Sequence, residues 1–202
     1  MQYYDLRRYQ LRNGTSKRIA PVRPAGAKVF GAFNPLIGEG APFVLVVQAC
    51  ATFAEAEQTQ DLDLDHVGYE RTLLRSFAGM PDLKIPPKSA GGHIFEMRTY
   101  QSNNAATLQK KIDVFNTAEI AIFLRLGITP VFFGEALAGS KMPHLTYMLC
   151  YDDLAARDRL WKAFGADAQW QKLRTTPGLT DADLVSNITN TILRPADNSD
   201  IR

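Results

Sequence analysis

The sequence predicts an α+β protein built from two tandem ferredoxin-like β-α-β-β-α-β repeats. Three observations predict this class. A motif occurs twice, as YYDLRRYQ at residues 3–10 and as IFEMRTYQ at residues 94–101. The chain of 202 residues is long enough for two units of about 100 residues each. Its hydrophobic fraction of 46% is sufficient for a packed core.

The second repeat contains every element of the unit. Its first strand, at residues 94–101, alternates apolar and polar side chains. Asn103 or Asn104 can cap the helix that follows, and Gly127 ends that helix. The remaining predicted elements are strands at 129–137 and 144–151, a helix that begins after Asp152 or Asp153, a short helix around Trp170, and a last strand at 183–193.

The first repeat keeps its strands but has shortened helices. Pro21 and Pro24 prevent a long helix in the segment that should carry the first one. The second helix begins at Phe53 but soon reaches an acidic stretch at 61–65, for which we expect a solvated turn. We therefore predict four regions, namely a degenerate first repeat at 1–79, a linker at 80–92, a complete second repeat at 93–195 and a tail at 196–202.

The composition excludes several classes of protein. Lys and Arg number 23 against 21 Asp and Glu, without a basic run, so we expect no nucleic-acid partner. The longest apolar run, at residues 42–47, is too short to span a membrane. No signal peptide precedes the first strand, which predicts a cytoplasmic location. Cys50 and Cys150 are interpreted as small buried hydrophobic residues.

Two segments, YDLRRY at residues 4–9 and FEMRTY at residues 95–100, resemble the NIPSNAP family. FNTAEIAIF at residues 115–123 and TPVFFGE at residues 129–135 extend the resemblance. It covers nearly the whole second repeat and only the strands of the first. The resemblance implies ferredoxin-like domains that pair sheet to sheet as a dimeric α/β barrel. It implies little about activity, because the molecular functions of the family are mostly unsettled.

The polar side of the repeated strand is the main candidate site. Because strand side chains alternate in direction, Glu96, Arg98 and Tyr100 share one face of their strand. The corresponding residues of the first repeat are Asp5, Arg7 and Tyr9. The apolar side chains belong beneath the helices, so both polar rows should enter a shared polar interior of the barrel. That interior could hold a small anionic or aromatic ligand, or the rows could form self-satisfied ion-pair ladders.

Two further carboxylates are candidates for a site. Glu119 falls on an apolar helical stripe, which predicts either a partly buried acid suited to proton transfer or a salt bridge to a nearby arginine at a junction of elements. Glu135 and His144 lie near the ends of adjacent hairpin strands and could form half of a metal site. The histidines are scattered without a metal-ligand spacing, so we expect no metal. No Gly-rich loop links a strand to a helix, and we expect no cofactor.

Two functions remain open on the sequence. The first is a small-molecule-binding or enzyme-like barrel with a polar interior, for which fold analogy alone suggests monooxygenase-like chemistry. The second is a non-catalytic oligomeric scaffold or protein-interaction module. The shortened helices should uncover the apolar sheet face of Tyr4 and Leu6, which predicts a homodimer or a larger homo-oligomer. Whether the barrel closes within one chain or between two chains is also open.

Overall fold

Eight antiparallel strands close into one barrel within a single chain. The computed structural model describes residues 1–15, 18–24 and 26–202. The strands are β1 (Tyr3–Gln10), β2 (Val29–Ile37), β3 (Phe43–Cys50), β4 (Gly68–Ser76), β5 (Ile94–Gln101), β6 (Thr129–Ala138), β7 (His144–Tyr151) and β8 (Asn187–Pro195). The helices are α1 (Phe53–Glu57), α2 (Ala105–Val114), α3 (Ile120–Arg125), α4 (Leu154–Ala166), α5 (Ala168–Arg174) and α6 (Asp181–Leu184), with a π-helical turn at Phe115–Glu119.

The strand order around the barrel is β1-β3-β2-β8-β5-β7-β6-β4 and back to β1. In each half of the chain the first strand lies between the third and the fourth, as in a ferredoxin-like unit. Two antiparallel seams, β2 with β8 and β4 with β6, join the halves. The barrel therefore closes within the chain, which is one of the two arrangements that the sequence leaves open.

The interior of the barrel is packed with apolar side chains from all eight strands. Rings meet across it from strands that are not neighbours. The centroids of Tyr4 and Phe132 are 5.0 Å apart, and those of Phe33 and Phe95 are 5.1 Å apart. The predicted polar interior of Glu, Arg and Tyr is therefore wrong for the centre of the barrel. Because the barrel closes within one chain, the apolar faces of the strands point inward, and each half of the chain covers the apolar face of the other.

The predicted uncovered apolar face of the first repeat is also wrong. Tyr4 is 0% exposed and Leu6 is 5% exposed, because both side chains point into the barrel. The acidic stretch is more than a solvated turn, since Asp61 pairs with Arg7 and Leu62 is buried in a small outer core. The chain after α1 thus crosses the outer face of β1, which the missing helices would otherwise cover.

The outer face of the second half carries the larger helical layer. Residues of α2, α3, α4 and α5 pack there against the outward side chains of β5, β6 and β7. Asn104 caps α2 through a capping box with Thr107, and the carboxylate of Asp153 accepts from the backbone N–H of Ala156 at the start of α4. The single helix predicted up to Gly127 is interrupted by the π-helical turn. This layer positions the polar row of β5 beneath the helices.

Cys50 and Cys150 are both free and buried. Burial raises the pKa of the Cys50 thiol to about 11 and that of Cys150 to about 12. Neither residue therefore has the thiolate character of a nucleophile near neutral pH. Within the described ranges, no helix combines the length and the apolar character that crossing a membrane requires.

Candidate functional site

The predicted residue Glu96 is the centre of a hydrogen-bond network on the outer face of β5. Its carboxylate is fully buried and accepts five hydrogen bonds. The donors, which with Glu96 form what we call the Glu96 network, are Arg98 Nη1 at 3.0 Å, Arg157 Nε at 2.8 Å and Nη2 at 2.6 Å, Trp161 Nε1 at 2.7 Å, and Asn190 Nδ2 at 2.6 Å. The carboxylate is thus saturated by the protein itself.

The ionisation of Glu96 follows from these partners. Burial on its own would raise the pKa of the carboxyl group. The hydrogen bonds from Arg157 and Trp161 and the charges of Arg98 and Arg157 outweigh burial, so the pKa lies below its ordinary value. A carboxylate that is ionised and fully paired is poorly suited to donate or accept a proton in a reaction. The Glu96 network therefore has the properties of an ion-pair ladder.

Arg98 links Glu96 to Tyr100, as the predicted polar row requires. Its Nη2 donates to the Tyr100 hydroxyl at 3.3 Å, and its guanidinium lies 4.8 Å from the ring centroid of Trp161. The hydroxyl of Tyr147 donates to that of Tyr100 at 3.0 Å. Burial raises the pKa of both tyrosines, so both hydroxyls are protonated near neutral pH. The row of Glu96, Arg98 and Tyr100 is thus assembled, but it faces the helical layer and not the barrel interior.

Glu119 ends the π-helical turn and is buried beside a lysine. The Nζ of Lys111 lies 2.6 Å from Glu119 Oε1 and 2.9 Å from Asp181 Oδ1. Burial raises the pKa of Glu119, because its single cationic partner only partly offsets the loss of water. Lys111 faces two carboxylates, which outweigh its own burial and raise its pKa. Of the two expected roles for Glu119, the salt bridge is present, but its partner is Lys111 and not the expected arginine.

Asp5, Arg7 and Tyr9 form the corresponding cluster on the outer face of the first half. Asp5 accepts from Arg7 Nε at 3.0 Å and from Arg71 Nε at 2.9 Å. The Nη2 of Arg7 donates to the Thr59 carbonyl oxygen at 2.6 Å. The hydroxyl of Tyr9 accepts from the backbone N–H of Leu62 at 3.3 Å, so the chain after α1 seals this cluster. The row of β5 lies beneath the helical layer and the row of β1 beneath the chain after α1, so the two predicted rows do not meet.

The predicted pair of Glu135 and His144 is separated by the sheet. Glu135 lies on the outer face, where its Oε2 accepts from Arg75 Nη2 at 2.6 Å across the β4–β6 seam. His144 is turned to the barrel interior and lines a cavity there. Among the residues that the structure describes, no cluster of three metal-ligating side chains occurs. The geometry therefore does not bring these two residues into one site.

A cavity of about 270 Å³ opens at one end of the barrel, at the mouth formed by the β2–β3 and β6–β7 hairpins. We call it the threonine cavity, and its defining residues are Thr72, Thr99, Thr146, Thr189, Thr191 and His144. Leu6, Leu45 and Met97 form its floor, at the top of the apolar core. The threonines come from four strands, and Leu6 and Leu45 add two more, so six of the eight strands contribute to the cavity.

Buried polar side chains line the threonine cavity. His144 is 4% exposed and Thr146 is 2% exposed. The hydroxyls of Thr99 and Thr146 lie 2.9 Å apart, and Thr146 Oγ1 lies 3.4 Å from His144 Nδ1. Burial lowers the pKa of His144, which keeps its imidazole neutral near pH 7. The lining can therefore donate and accept hydrogen bonds without a net charge at its base.

The threonine cavity is not among the sites predicted from the sequence. The available signal was the alternation of Thr189 and Thr191, which puts two hydroxyls on one face of β8. That signal identifies a cavity only when the barrel is known to close with that face inward. Strand pairing between distant segments supplies this information, and local sequence does not.

The fold defines a class, a mixed α/β protein with a closed eight-stranded antiparallel barrel formed within one chain. The model of the NIPSNAP family matches residues 95–200, just over half of the chain. The chain therefore belongs to the NIPSNAP family, and the resemblance is confirmed over residues 95–200. A search of curated proteins finds no match.

Solved structures support the fold. A NIPSNAP family protein from Agrobacterium tumefaciens is 24% identical over 60% of this chain and 100% of its own, with a TM-score of 0.50. A candidate monooxygenase from Fusobacterium nucleatum covers 96% of this chain and 92% of its own at 7% identity and a TM-score of 0.57. One from Lactobacillus acidophilus covers 96% and 93% at 6% identity and a TM-score of 0.56. These likenesses concern the fold alone.

Proposed function

We propose that this NIPSNAP protein is a small-molecule-binding barrel whose ligand occupies the threonine cavity. The observation that carries the proposal is a concave site with an apolar floor and a polar wall of buried threonine and histidine side chains. Ligand pockets commonly combine a mostly apolar lining with a few convergent polar groups. At about 270 Å³ the cavity suits a compact ligand.

The Glu96 network is a poorer candidate for a ligand site than the threonine cavity. Glu96 accepts five hydrogen bonds from side chains of β5, α4 and β8. A ligand that entered there would have to displace charged partners from a buried carboxylate, at a cost of several kcal/mol. We therefore assign a structural role to Glu96, Arg98 and Tyr100, which are ligand-binding candidates on the sequence alone.

Monooxygenase-like chemistry remains an analogy of fold. The two candidate monooxygenases share 7% and 6% identity with this chain, and a shared fold at that level does not transfer a reaction. In this chain the space between the helices and the sheet is filled by aromatic side chains, including Phe115, Phe123 and Phe164. The proposal is accordingly limited to binding.

The oligomeric scaffold is the weaker alternative. Its motivation was an exposed apolar face around Tyr4 and Leu6, and both residues are inside the barrel. A homodimer remains a prediction, to be tested by light scattering of the full chain. We further infer that the halves are tandem ferredoxin-like repeats, with a degenerate first repeat at 1–79 and a complete second repeat at 93–195. The shared strand order of the two halves supports this inference.

Nuclear magnetic resonance of threonine and methionine methyl groups tests the proposed function. A library of small polar fragments is added to the labelled protein. We expect the methyl signals of Thr146, Thr191 and Met97 to shift, because these groups line the cavity. The methyl signal of the exposed Thr175, at the end of α5, is the internal control. Fragments that shift only signals remote from the cavity, or a library without any binder, would contradict the proposal.

A further inference from the structure

From the chemistry of its lining, we infer that the threonine cavity selects an uncharged polyhydroxylated compound of about the size of a monosaccharide. This inference rests on the proposed function and specifies the ligand class. It differs from the anionic or aromatic ligand expected for the polar row of β5. Three features of the cavity support it, namely free hydroxyls, balanced charges and an apolar floor.

The hydroxyl groups of the cavity are available to a ligand. In the part of the chain that the structure describes, the side chains of Thr72, Thr189 and Thr191 make no hydrogen bond. Thr191 is 8% exposed, so its hydroxyl is held at the cavity with little contact with bulk water. Hydroxyls donate and accept, which matches the donor and acceptor character of a ligand's own hydroxyl groups. A polyol can therefore form hydrogen bonds with all three threonine hydroxyls.

The charges around the cavity balance. Two cationic side chains, Arg8 and Lys141, and two anionic ones, Glu39 and Glu70, line it. Arg8 is already engaged, because its Nη2 donates to the carbonyl oxygens of Glu39 at 2.8 Å and Gly40 at 3.1 Å. Its guanidinium also lies 4.2 Å from the ring centroid of Phe43. A charged ligand would thus lose water without gaining a committed counter-charge at the base.

Three charges of this set, Glu39, Glu70 and Lys141, are exposed. Their attraction for an ionic ligand is screened by water and salt, which weakens it relative to a buried pair. The neutral imidazole of His144 adds a donor or an acceptor at the base and no charge. Both observations favour hydrogen bonding over ion pairing as the source of selectivity.

The apolar floor and the size of the cavity complete the match. Leu6, Leu45 and Met97 present hydrocarbon and thioether surface opposite the hydroxyls. Sugars and cyclic polyols have C–H faces between their hydroxyl groups, so one molecule can use both surfaces. The volume of about 270 Å³ lies just below the roughly 300–1,000 Å³ typical of ligand pockets. A single ring therefore fits better than a disaccharide or a nucleotide.

Calorimetry with matched probes tests the ligand class. The neutral probes are glucose and myo-inositol. The charged probes are glucuronate, which adds one negative charge to the glucose ring, and glucosamine, which adds one positive charge. We expect a neutral probe to bind more tightly than both charged ones. We expect Thr191→Val, which removes one hydroxyl at nearly constant shape, to weaken that binding about tenfold. Thr72→Val serves as a second cavity variant if Thr191→Val does not fold, and the exposed Thr175→Val is the matched control.

The outcomes separate the two proposals. Tighter binding of a neutral probe, lost in Thr191→Val and kept in Thr175→Val, supports the ligand class. Tighter binding of glucuronate or glucosamine with the same dependence on Thr191 overturns the class and leaves the proposed function standing. No binding of any probe overturns the class, and no fragment shift at the cavity methyl groups in addition overturns the proposed function.

Discussion

The guanidinium of Arg157 donates two hydrogen bonds to the carboxylate of Glu96, from Nε to Oε2 at 2.8 Å and from Nη2 to Oε1 at 2.6 Å. This bidentate pair joins α4 to β5, because Arg157 lies on the helix and Glu96 on the strand. Trp161, one helical turn further along α4, donates to the same carboxylate. The acid of the repeated motif thus attaches a helix to the barrel.

Glu96→Gln should destabilise the protein strongly. The substitution keeps the shape of the side chain but leaves Arg98 and Arg157 without a counter-charge in a largely buried place. We expect the free energy of unfolding to fall by about 3 kcal/mol, since Arg157 keeps some contact with water. Urea unfolding measures the change. Glu57→Gln, on an exposed position of α1, is the matched control, and an equal effect of both variants would contradict a structural role for Glu96.

The contribution of Glu96 to the stability of the protein should be lost at low pH. The pKa of Glu96 in the folded protein lies below its ordinary value of 4.5, so its stabilising effect is complete above that pH. The effect is lost as the pH falls through the folded pKa, where the carboxylate is protonated. We therefore expect the stability difference between the native protein and Glu96→Gln to shrink below about pH 4.5. Urea unfolding between about pH 7 and about pH 3 checks this, and a constant difference would argue against it.

Lys111→Met alone should destabilise the protein, and a second substitution should restore most of the lost stability. The single variant leaves Glu119 buried without its cation, so we expect a loss of about 3–5 kcal/mol. Adding Glu119→Leu removes the unpaired charge and should restore most of the stability, because apolar pairs of similar volume can replace buried ion pairs. Thermal unfolding of both variants measures the coupling. Additive losses would show that the two residues do not act as a pair.

Leu6→Asp should unfold the chain and not merely dissociate an assembly. The side chain points into the barrel, where a carboxylate would have no partner, and the expected loss exceeds about 4 kcal/mol. Leu124→Asp is the matched control, because Leu124 is 61% exposed on α3. Circular dichroism and light scattering distinguish the results. A folded Leu6→Asp monomer would mean that Leu6 lies on an external interface.

The strand faces were predictable from sequence, but the identity of the inner face was not. Alternation groups Glu96 with Arg98 and Tyr100, and the structure has this grouping. Which face turns inward depends on the β2–β8 and β4–β6 seams, which join residues far apart in sequence. The donors Arg157 and Asn190 also come from distant segments. Local patterns cannot specify such contacts, so the polar row was assigned to the wrong side.

The fragment of residues 93–202 should form a homodimer if the halves are tandem repeats. Alone, it would expose the edges of β6 and β8 and one side of the barrel core. Exposed strand edges readily pair with another chain. A second copy could supply both seams, with β6 of one copy beside β8 of the other. Light scattering of the purified fragment measures its mass, and a folded, monodisperse monomer would contradict the prediction.

The most direct test of the central claim is a crystal structure of the protein soaked with the tightest-binding compound of the fragment screen. The claim is that the threonine cavity, and not the Glu96 network, receives the ligand. We predict electron density for the compound against Met97 and Thr191, with the hydrogen bonds of Glu96 unchanged. Density for the compound between Glu96, Arg98 and Tyr100, with Arg157 displaced, would contradict the account.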